Sequence, residues 1–324
     1  MKLSFDELKE TFEKILLKLS FSKDKAERCA EIFASNSRDG VYSHGLNRFP
    51  VFVDYVKQKL IDPEAEPLLQ ERIGMVEVWN GRRGIGIYNA RLCMERAIKL
   101  AKENGMGCVF IHNSNHWMRG GTYGQMAAEA GCIGICFTNA MASMPPWGGV
   151  SARLGNNPLV IAVPNPSGPI VLDMAMSQFS YGKMQEYELA NKELPVFGGF
   201  DESGAMTKDP ALIRKNKSAL PIGFWKGSGL ALLLDIMLTV LTGGLSSAAI
   251  TASGKEVGLS QCFICIYSDH FHHDLVKEII SYTKSAGQSG EVLYPGERML
   301  ATRAKNMKDG IPVDDKIWEM IQKL

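Results

Sequence analysis

Ser43-His44-Gly45-Leu46-Asn47-Arg48 sets a hydroxyl, an imidazole, a flexible glycine and a guanidinium within a single turn of chain. An imidazole exchanges a proton near neutral pH, and a guanidinium holds a carboxylate through two parallel hydrogen bonds. His44 and Arg48 therefore read as a proton donor beside an anion anchor, suited to protonating an oxygen on an anionic substrate. The competing reading makes His44 a cap for a helix through Phe49 and Tyr55 and leaves Arg48 solvated. A second group, Asn113 to Gly121, repeats this chemistry in His116 and Arg119, in a loop between a strand and a helix, where α/β proteins gather ligand-binding residues. These residues would supply a second donor and a second anion clamp; otherwise the loop is solvated and Trp117 packs on the core. Asp173 ends the apolar run Val171-Leu172, where an unpaired carboxylate is costly to bury. It either accepts the N–H of a histidine and stabilises the charged ring, or caps the following turn.

These side chains need a scaffold, and its elements are visible in the patterning. Ser4 and Glu7 have capping-box spacing before an apolar helical repeat at Leu8, Phe12, Ile15 and Leu19. A second helix is predicted from about Ser22 to Gly40, which puts His44 just beyond a helix-ending glycine. From Gly74 to about Tyr267 short β-rich runs alternate with helices: Met75 to Trp79, Cys108 to Ile111, Ile133 to Phe137, Leu159 to Val163 and Ile170 to Leu172, with helices from about Tyr88 to Asn104 and Gly121 to Ala130. The tail from Pro295 is helical again and is expected against the amino-terminal helices. The division predicted is 1–72 plus 296–324 as a helical region carrying His44, and 73–295 as an α/β region for cofactor binding and dimerisation.

Balanced charge, 36 basic and 35 acidic residues, argues against a broad nucleic-acid or membrane surface and for a small-molecule ligand. The apolar run Leu230 to Leu241 contains Asp235 and falls short of the about 20 residues a bilayer span needs, so a buried helix is expected. The start, Met1-Lys2-Leu3-Ser4-Phe5-Asp6, lacks the pattern of an export or transit signal, which makes the cytoplasm the expected compartment. Seven cysteines, mostly within apolar runs, read as reduced core residues. Cys262 and Cys265 are expected on opposite faces of a strand, which disfavours a redox or zinc pair. Asp269, His270, His272, His273 and Asp274 have metal-ligand chemistry and would suit a metal-dependent hydrolase, but consecutive residues enclose a cation poorly, and no metal is expected.

Nothing satisfies the G-x-G-x-x-G fingerprint of a doubly wound dinucleotide fold. Gly84-Ile85-Gly86 lacks the third glycine, and Leu232 stands where Gly227-Ser228-Gly229 would require it. Trp225-Lys226-Gly227-Ser228-Gly229 at the head of the apolar helix is either a phosphate cradle with a flat ring and a cation beside it, or a tight turn with a snorkelling lysine.

Ser43-His44-Gly45, Asn115-His116, Leu172-Asp173-Met174-Ala175 and Lys226-Gly227-Ser228-Gly229-Leu230 together resemble the malate/L-lactate dehydrogenase family, nicotinamide-dependent 2-oxoacid reductases without a Rossmann fold. Longer strings, Tyr42 to Pro50, Asn115 to Gly121, Met144 to Gly148 and Phe179 to Gly182, extend that resemblance along essentially the whole chain and point within the family to reduction of a six-carbon diketo sugar acid. Sister activities on malate, L-lactate or ureidoglycolate are the alternatives, and Trp117, Met118 and Trp147 would shape the pocket for the larger substrate. The resemblance implies an α/β mixed-sheet, non-Rossmann fold; His44 as proton donor, with Asp173 in support; NADH as cofactor, NADPH being possible; and a cytoplasmic homodimer. It implies that the cofactor lies along Pro169, Ile170, Val171, Leu172, Asp173, Met174 and Ala175, with Trp225, Lys226, Gly296, Glu297 and Arg298. Ser43, Arg48, His116 and Arg119 are the residues expected to handle substrate. The chain departs from the family pattern at Asn165 to Pro169, one residue longer before the cofactor strand, which affects phosphate and adenosine contacts rather than reaction type.

Overall fold

The computed structural model describes residues 1–288 and 290–324. The chain opens with β1 (Lys2–Leu3), α1 (Phe5–Leu17), α2 (Lys23–Arg38) and α3 (Phe49–Lys57). It continues through β2 (Leu68–Ile73), β3 (Val76–Asn80), α4 (Gly86–Asn104), β4 (Met106–Ser114), α5 (Gly120–Glu129) and β5 (Ile133–Thr138). A side ribbon of β6 (Ala142–Met144) and β7 (Leu154–Gly155) precedes β8 (Leu159–Val163) and β9 (Ile170–Met174). An excursion, α6 (Tyr181–Leu189), β10 (Gly199–Phe200), β11 (Met206–Thr207) and α7 (Pro210–Asn216), leads to α8 (Trp225–Thr242), α9 (Ser247–Ala252) and β12 (Leu259–Ile266). The tail is α10 (His273–Lys284), α11 (Glu297–Asp309), β13 (Ile311–Pro312) and α12 (Asp315–Gln322).

Local chemistry sets the amino-terminal helices. Ser4 Oγ accepts the Glu7 amide while the Glu7 carboxylate accepts the Ser4 amide, the reciprocal cap expected from the spacing. Ser22 caps α2, and the chain leaves that helix through Gly40 at φ +81°. Phe12, Phe33 and Phe49 interlock, with ring centroids 4.3 Å apart for Phe12–Phe49 and 5.1 Å for Phe33–Phe49. Because Phe49 directly follows Arg48 and is fully buried, this cluster fixes the His44–Arg48 turn in space. Truncating such a ring costs about 3–5 kcal/mol.

One seven-stranded sheet, ordered β2-β3-β4-β12-β5-β8-β9, forms the middle layer. Only β3 and β4 run parallel, joined by α4; the other pairs are antiparallel. The sheet is thus mixed and not doubly wound, as expected. α4 and α5 cover one face and α8 the other, so central β12 is buried on both. Cys262 packs with Phe110, Leu234 and Leu238 beneath α8, whereas Cys265 reaches Met94 of α4 with its sulfur 3.4 Å away. That is the opposite-face placement predicted for a strand. The tail closes back as expected: β13 pairs with β1, and Asn306 of α11 donates to the Arg38 carbonyl at the end of α2.

The expectation for the apolar helix is corrected. α8 is not buried: Leu232, Leu233, Ile236, Met237, Val240 and Leu241 are all exposed, Val240 at 75 %. Leu234 and Leu238 face the sheet, and Asp235 turns inward to accept from Asn139 and from the Ser247 amide, 3.0 Å each. A helix with one layer to cover buries one stripe; here the opposite stripe is apolar as well.

Candidate active site

His44 ends a short 3-10 turn, Tyr42–His44, whose backbone Asn36 holds by donating 2.9 Å to the His44 carbonyl. Thr122 of α5 in turn donates to Asn36 Oδ1 at 2.8 Å, tying this turn to the sheet layer. Gly45 is required because a Cβ there would come within 2.3 Å of Ser37 Oγ. α3 begins at Phe49 without a side-chain cap, so His44 is not the helix cap that the competing reading supposed. Its Nδ1 instead lies 3.1 Å from Ser43 Oγ.

His116 arrives from the β4–α5 loop, and its ring stacks on His44 with centroids 5.7 Å apart and planes at 22°. Its Nδ1 accepts the Met118 amide at 2.9 Å, which assigns the proton of the neutral ring to Nε2 and makes that atom a donor. Met118 adopts φ +66° to deliver its amide, a left-handed backbone held by its surroundings. Burial pushes the His116 imidazole well below its usual range, with Arg48 and His44 acting in the same direction. Burial likewise lowers His44 to about 4, opposed by Asp173 and assisted by Arg48 and Arg119. Without ligand, both rings are therefore neutral at pH 7.

Arg48, Asn115, His116 and Met118 line a cleft closed by Tyr55 and by Glu256 from the α9–β12 loop. The cleft is narrow, with a free volume of about 10 Å³, roughly that of one water. A more open hollow lined by Lys18, Lys57 and Lys59 contains neither histidine and lacks this chemistry.

Two expectations change. Arg119, read as a second anion clamp, is 7 % exposed and donates to Asp39 at 2.9 Å, with its Nε 3.9 Å from Asp173. Asp39 also binds Arg303 and Arg38; burial works to raise its pKa, but these three guanidiniums outweigh it and hold the carboxyl low. Arg119 thus faces Asp39 and Asp173, and its charge reaches His44 from there. Asp173 makes no hydrogen bond to His44: its Oδ2 accepts the Gly121 amide at 2.8 Å, at the amino end of α5 rather than in the following turn. It acts on His44 through its charge. Trp117 lies in the core against Tyr123 and Phe263, so Met118 alone of that pair reaches the cleft.

The three predicted cofactor segments converge on one edge of the sheet. β9 is the edge strand, and its Val171 amide donates to the Pro295 carbonyl at 3.0 Å. Gly296, at φ +94°, opens α11 so close to this strand that a Cβ would stand 3.1 Å from the Val171 amide nitrogen. Just past β9, the Met176 carbonyl accepts from Ile222, which brings up the exposed Trp225 and Lys226 at the head of α8. Gly227 closes on its own chain, a Cβ meeting the Ile222 carbonyl at 2.3 Å, and Ser228 accepts the Trp147 amide. These two form the tight turn, and the exposed Trp225 and Lys226 remain open to a ligand. Glu297 is held by Lys284 and the Tyr294 amide. An open strand edge, a glycine-tight approach and a helix amino terminus fit an elongated phosphate-bearing cofactor. Among the described residues no cluster fits a metal, and the exposed His270, His272 and His273 gather no further ligand.

Sequence reasoning missed Asp39, Asn36 and Glu256, and named Asn115 only within the Asn115-His116 motif, without a role. Asp39 could have been suspected from its place before a helix-ending glycine; Glu256 carries no local signal.

Comparison with known proteins agrees with this geometry. The sequence model of the family described as malate/L-lactate dehydrogenase matches residues 3–322. Proteins named 2,3-diketo-L-gulonate reductase from Citrobacter koseri and Klebsiella pneumoniae are each 44% identical, over 100% of this chain and of theirs. Among solved structures, malate dehydrogenase from Entamoeba histolytica superposes with a TM-score of 0.91 at 27% identity, and sulfolactate dehydrogenase from Methanocaldococcus jannaschii with 0.90 at 28%. Each comparison covers 100% of this chain and 96% of the other. The mixed sheet, the paired histidines and the full-length match have one common explanation: this chain is an oxidoreductase belonging to the malate/L-lactate dehydrogenase family.

Proposed function

We propose that this protein reduces 2,3-diketo-L-gulonate to 3-keto-L-gulonate with NADH, as a cytoplasmic homodimer, with His44 as the proton donor. NADPH is the less favoured cofactor. The observation that carries the reading is the stacking of His44 on His116, which lines one cleft with Arg48, in a chain 44% identical over its full length to proteins of that name.

Arg48 binds the substrate carboxylate, and His116 Nε2–H steadies a substrate oxygen. An anion on Arg48 offsets the guanidinium that depresses His44 and adds its own negative potential, so His44 takes up a proton with substrate. Nδ1–H of the charged ring donates to Ser43 Oγ, leaving Nε2–H for the carbonyl oxygen, where alkoxide charge develops. Asp173 favours the charged ring from a distance. The nicotinamide cofactor of the family, when bound, supplies the hydride that no side chain can. Pro169 to Ala175, Trp225, Lys226 and Gly296 to Arg298 hold it. In this reading residues 1–72 and 296–324 carry the proton donor, and 73–295 carry the cofactor strand and the dimer face.

The exposed apolar stripe of α8 supports the dimer, since a monomer seldom leaves so many large apolar side chains of one helix in water. Leu233→Glu with Val240→Glu should yield monomers by sedimentation; an unchanged mass would move the interface elsewhere. The activity is tested by loss of NADH absorbance with 2,3-diketo-L-gulonate, oxaloacetate and pyruvate offered separately. Turnover of the sugar acid supports the assignment, and turnover of the short acids alone transfers it to a sister activity.

A further inference from the structure

Asn36 is fully buried on α2, and both ends of its side-chain amide are engaged. Its Nδ2 donates to the His44 carbonyl at 2.9 Å, and its Oδ1 accepts from Thr122 Oγ1 at 2.8 Å. Asn36 and Asp39 stand three apart at the end of α2, as do Arg119 and Thr122 at the start of α5. Since Arg119 donates to Asp39 at 2.9 Å, the two elements are tied twice, and the Asn36 tie continues to His44. The same turn of α5 seats Asp173: the Gly121 amide donates to its Oδ2 at 2.8 Å, and a Cβ on Gly121 would stand 2.8 Å from that oxygen. Neighbouring residues of one helical turn thus hold the Asp173 carboxylate and, through one buried amide, the backbone of His44. His44 is faced by Asp173 from β9, by Arg119, by the stacked His116 ring and by Arg48 of its own turn, so its charge state depends on where it sits among them.

We propose that Asn36 and Thr122 are positioning residues, a relay of two hydrogen bonds that holds His44 in register with Asp173 and so sets the rate of proton transfer without touching substrate. The inference rests on the proposed function, which makes His44 the proton donor. A displaced donor is a slow one: about 1 Å of misplacement costs on the order of a hundredfold in rate. Without the Thr122 hydroxyl, Asn36 Oδ1 is a buried acceptor with no donor, and the amide turns or takes in water, loosening its hold on the His44 carbonyl. Thr122 itself is partly exposed at the start of α5, where valine fills its place without crowding.

The test compares wild type, Thr122→Val and Thr122→Ser in the full-length protein by two readouts, turnover of the keto acid that wild type reduces fastest and NMR titration of the His44 ring in the ligand-free protein. Unchanged NADH affinity shows that the variants are folded. Thr122→Val should lower kcat about tenfold with KM within about twofold, and Thr122→Ser, which keeps the hydroxyl, should recover wild-type kcat. Loosening the turn lets water reach the His44 ring, whose titration burial holds at about 4. An upward shift of about one unit follows in Thr122→Val, so that at about pH 5 roughly half the rings are protonated against about a tenth in wild type. Thr122→Ser should reverse this shift as well. A merely structural role would lower the urea midpoint of Thr122→Val and leave both kcat and the titration as in wild type, which would overturn the proposal, as would a serine variant that restores neither. If His44→Asn retains turnover, the proposed proton donor falls, while the His44 titration in Thr122→Val still decides whether the relay holds the ring.

Discussion

The two halves of this site are built by opposite means. The half proposed for proton transfer is enclosed: His44 and His116 stack, each ring has a polar contact at Nδ1, and the turn that carries His44 is pinned by Asn36 and by the Phe12–Phe33–Phe49 cluster. The half proposed for the cofactor is open, an edge strand flanked by a helix start and by the exposed Trp225 and Lys226. Proton transfer gains from desolvation, which lets a nearby charge move a pKa strongly, whereas a dissociable cofactor needs accessible backbone and loose cations. The contrast predicts that the enclosed half tolerates little change and the open half more.

The sharpest attempt to break this contrast is His44→Asn. Turnover should fall about 10²–10⁴-fold, the usual contribution of a general acid, with NADH affinity unaltered. Retained turnover would pass the proton to another group and remove the functional distinction between the halves. Next comes Asp39→Ala, which leaves Arg119 and Arg303 facing each other without their shared carboxylate. A loss of about 3–5 kcal/mol in urea unfolding is expected, as when one partner of a buried ion pair is removed. A loss below 1 kcal/mol would show that the enclosed half does not depend on this network.

Acid should weaken the enclosed half. His44 titrates at about 4 in the folded chain, against about 6.5 when unfolded, so below pH 6.5 the unfolded chain binds a proton that the folded one refuses. Stability that is whole above pH 6.5 is lost as pH falls towards 4, by at most about 3 kcal/mol, and less where solvent screens the ring. His116 is lowered in the same direction, so comparing urea melts of wild type and His44→Asn at pH 7 and pH 5 isolates the His44 share. Identical slopes would mean that His44 is not desolvated. Smallest is Lys226→Ala on the open side: NADH dissociation should weaken by about tenfold, near 1.4 kcal/mol, with kcat preserved. Unchanged affinity would remove Lys226 from the cofactor site.

Local signals carried much of the architecture. The Ser4–Glu7 cap, the exit at Gly40 and the alternating strands appear where spacing put them, because each depends on neighbours within a few residues. The expectation for α8 failed because an all-apolar helix looks the same whether it is buried in its own fold or faces outward. The second clamp failed for a related reason: the partner that occupies Arg119 is Asp39, 80 residues away. Arg119 and Arg48 look alike in one dimension and differ only in what meets them.

By itself, the sequence determined the residue types for proton donation and anion binding, the helix caps, the mixed alternation that excludes a doubly wound fold, and the family. Tertiary structure alone decided that His44 and His116 stack, that Asp173 caps α5 rather than bonding to His44, that β9 lies at the sheet edge beside Gly296, and that Glu256 faces Arg48. The reason is range: caps and periodicity act over a few residues, whereas desolvation and charge pairing depend on atoms that only the folded chain brings together.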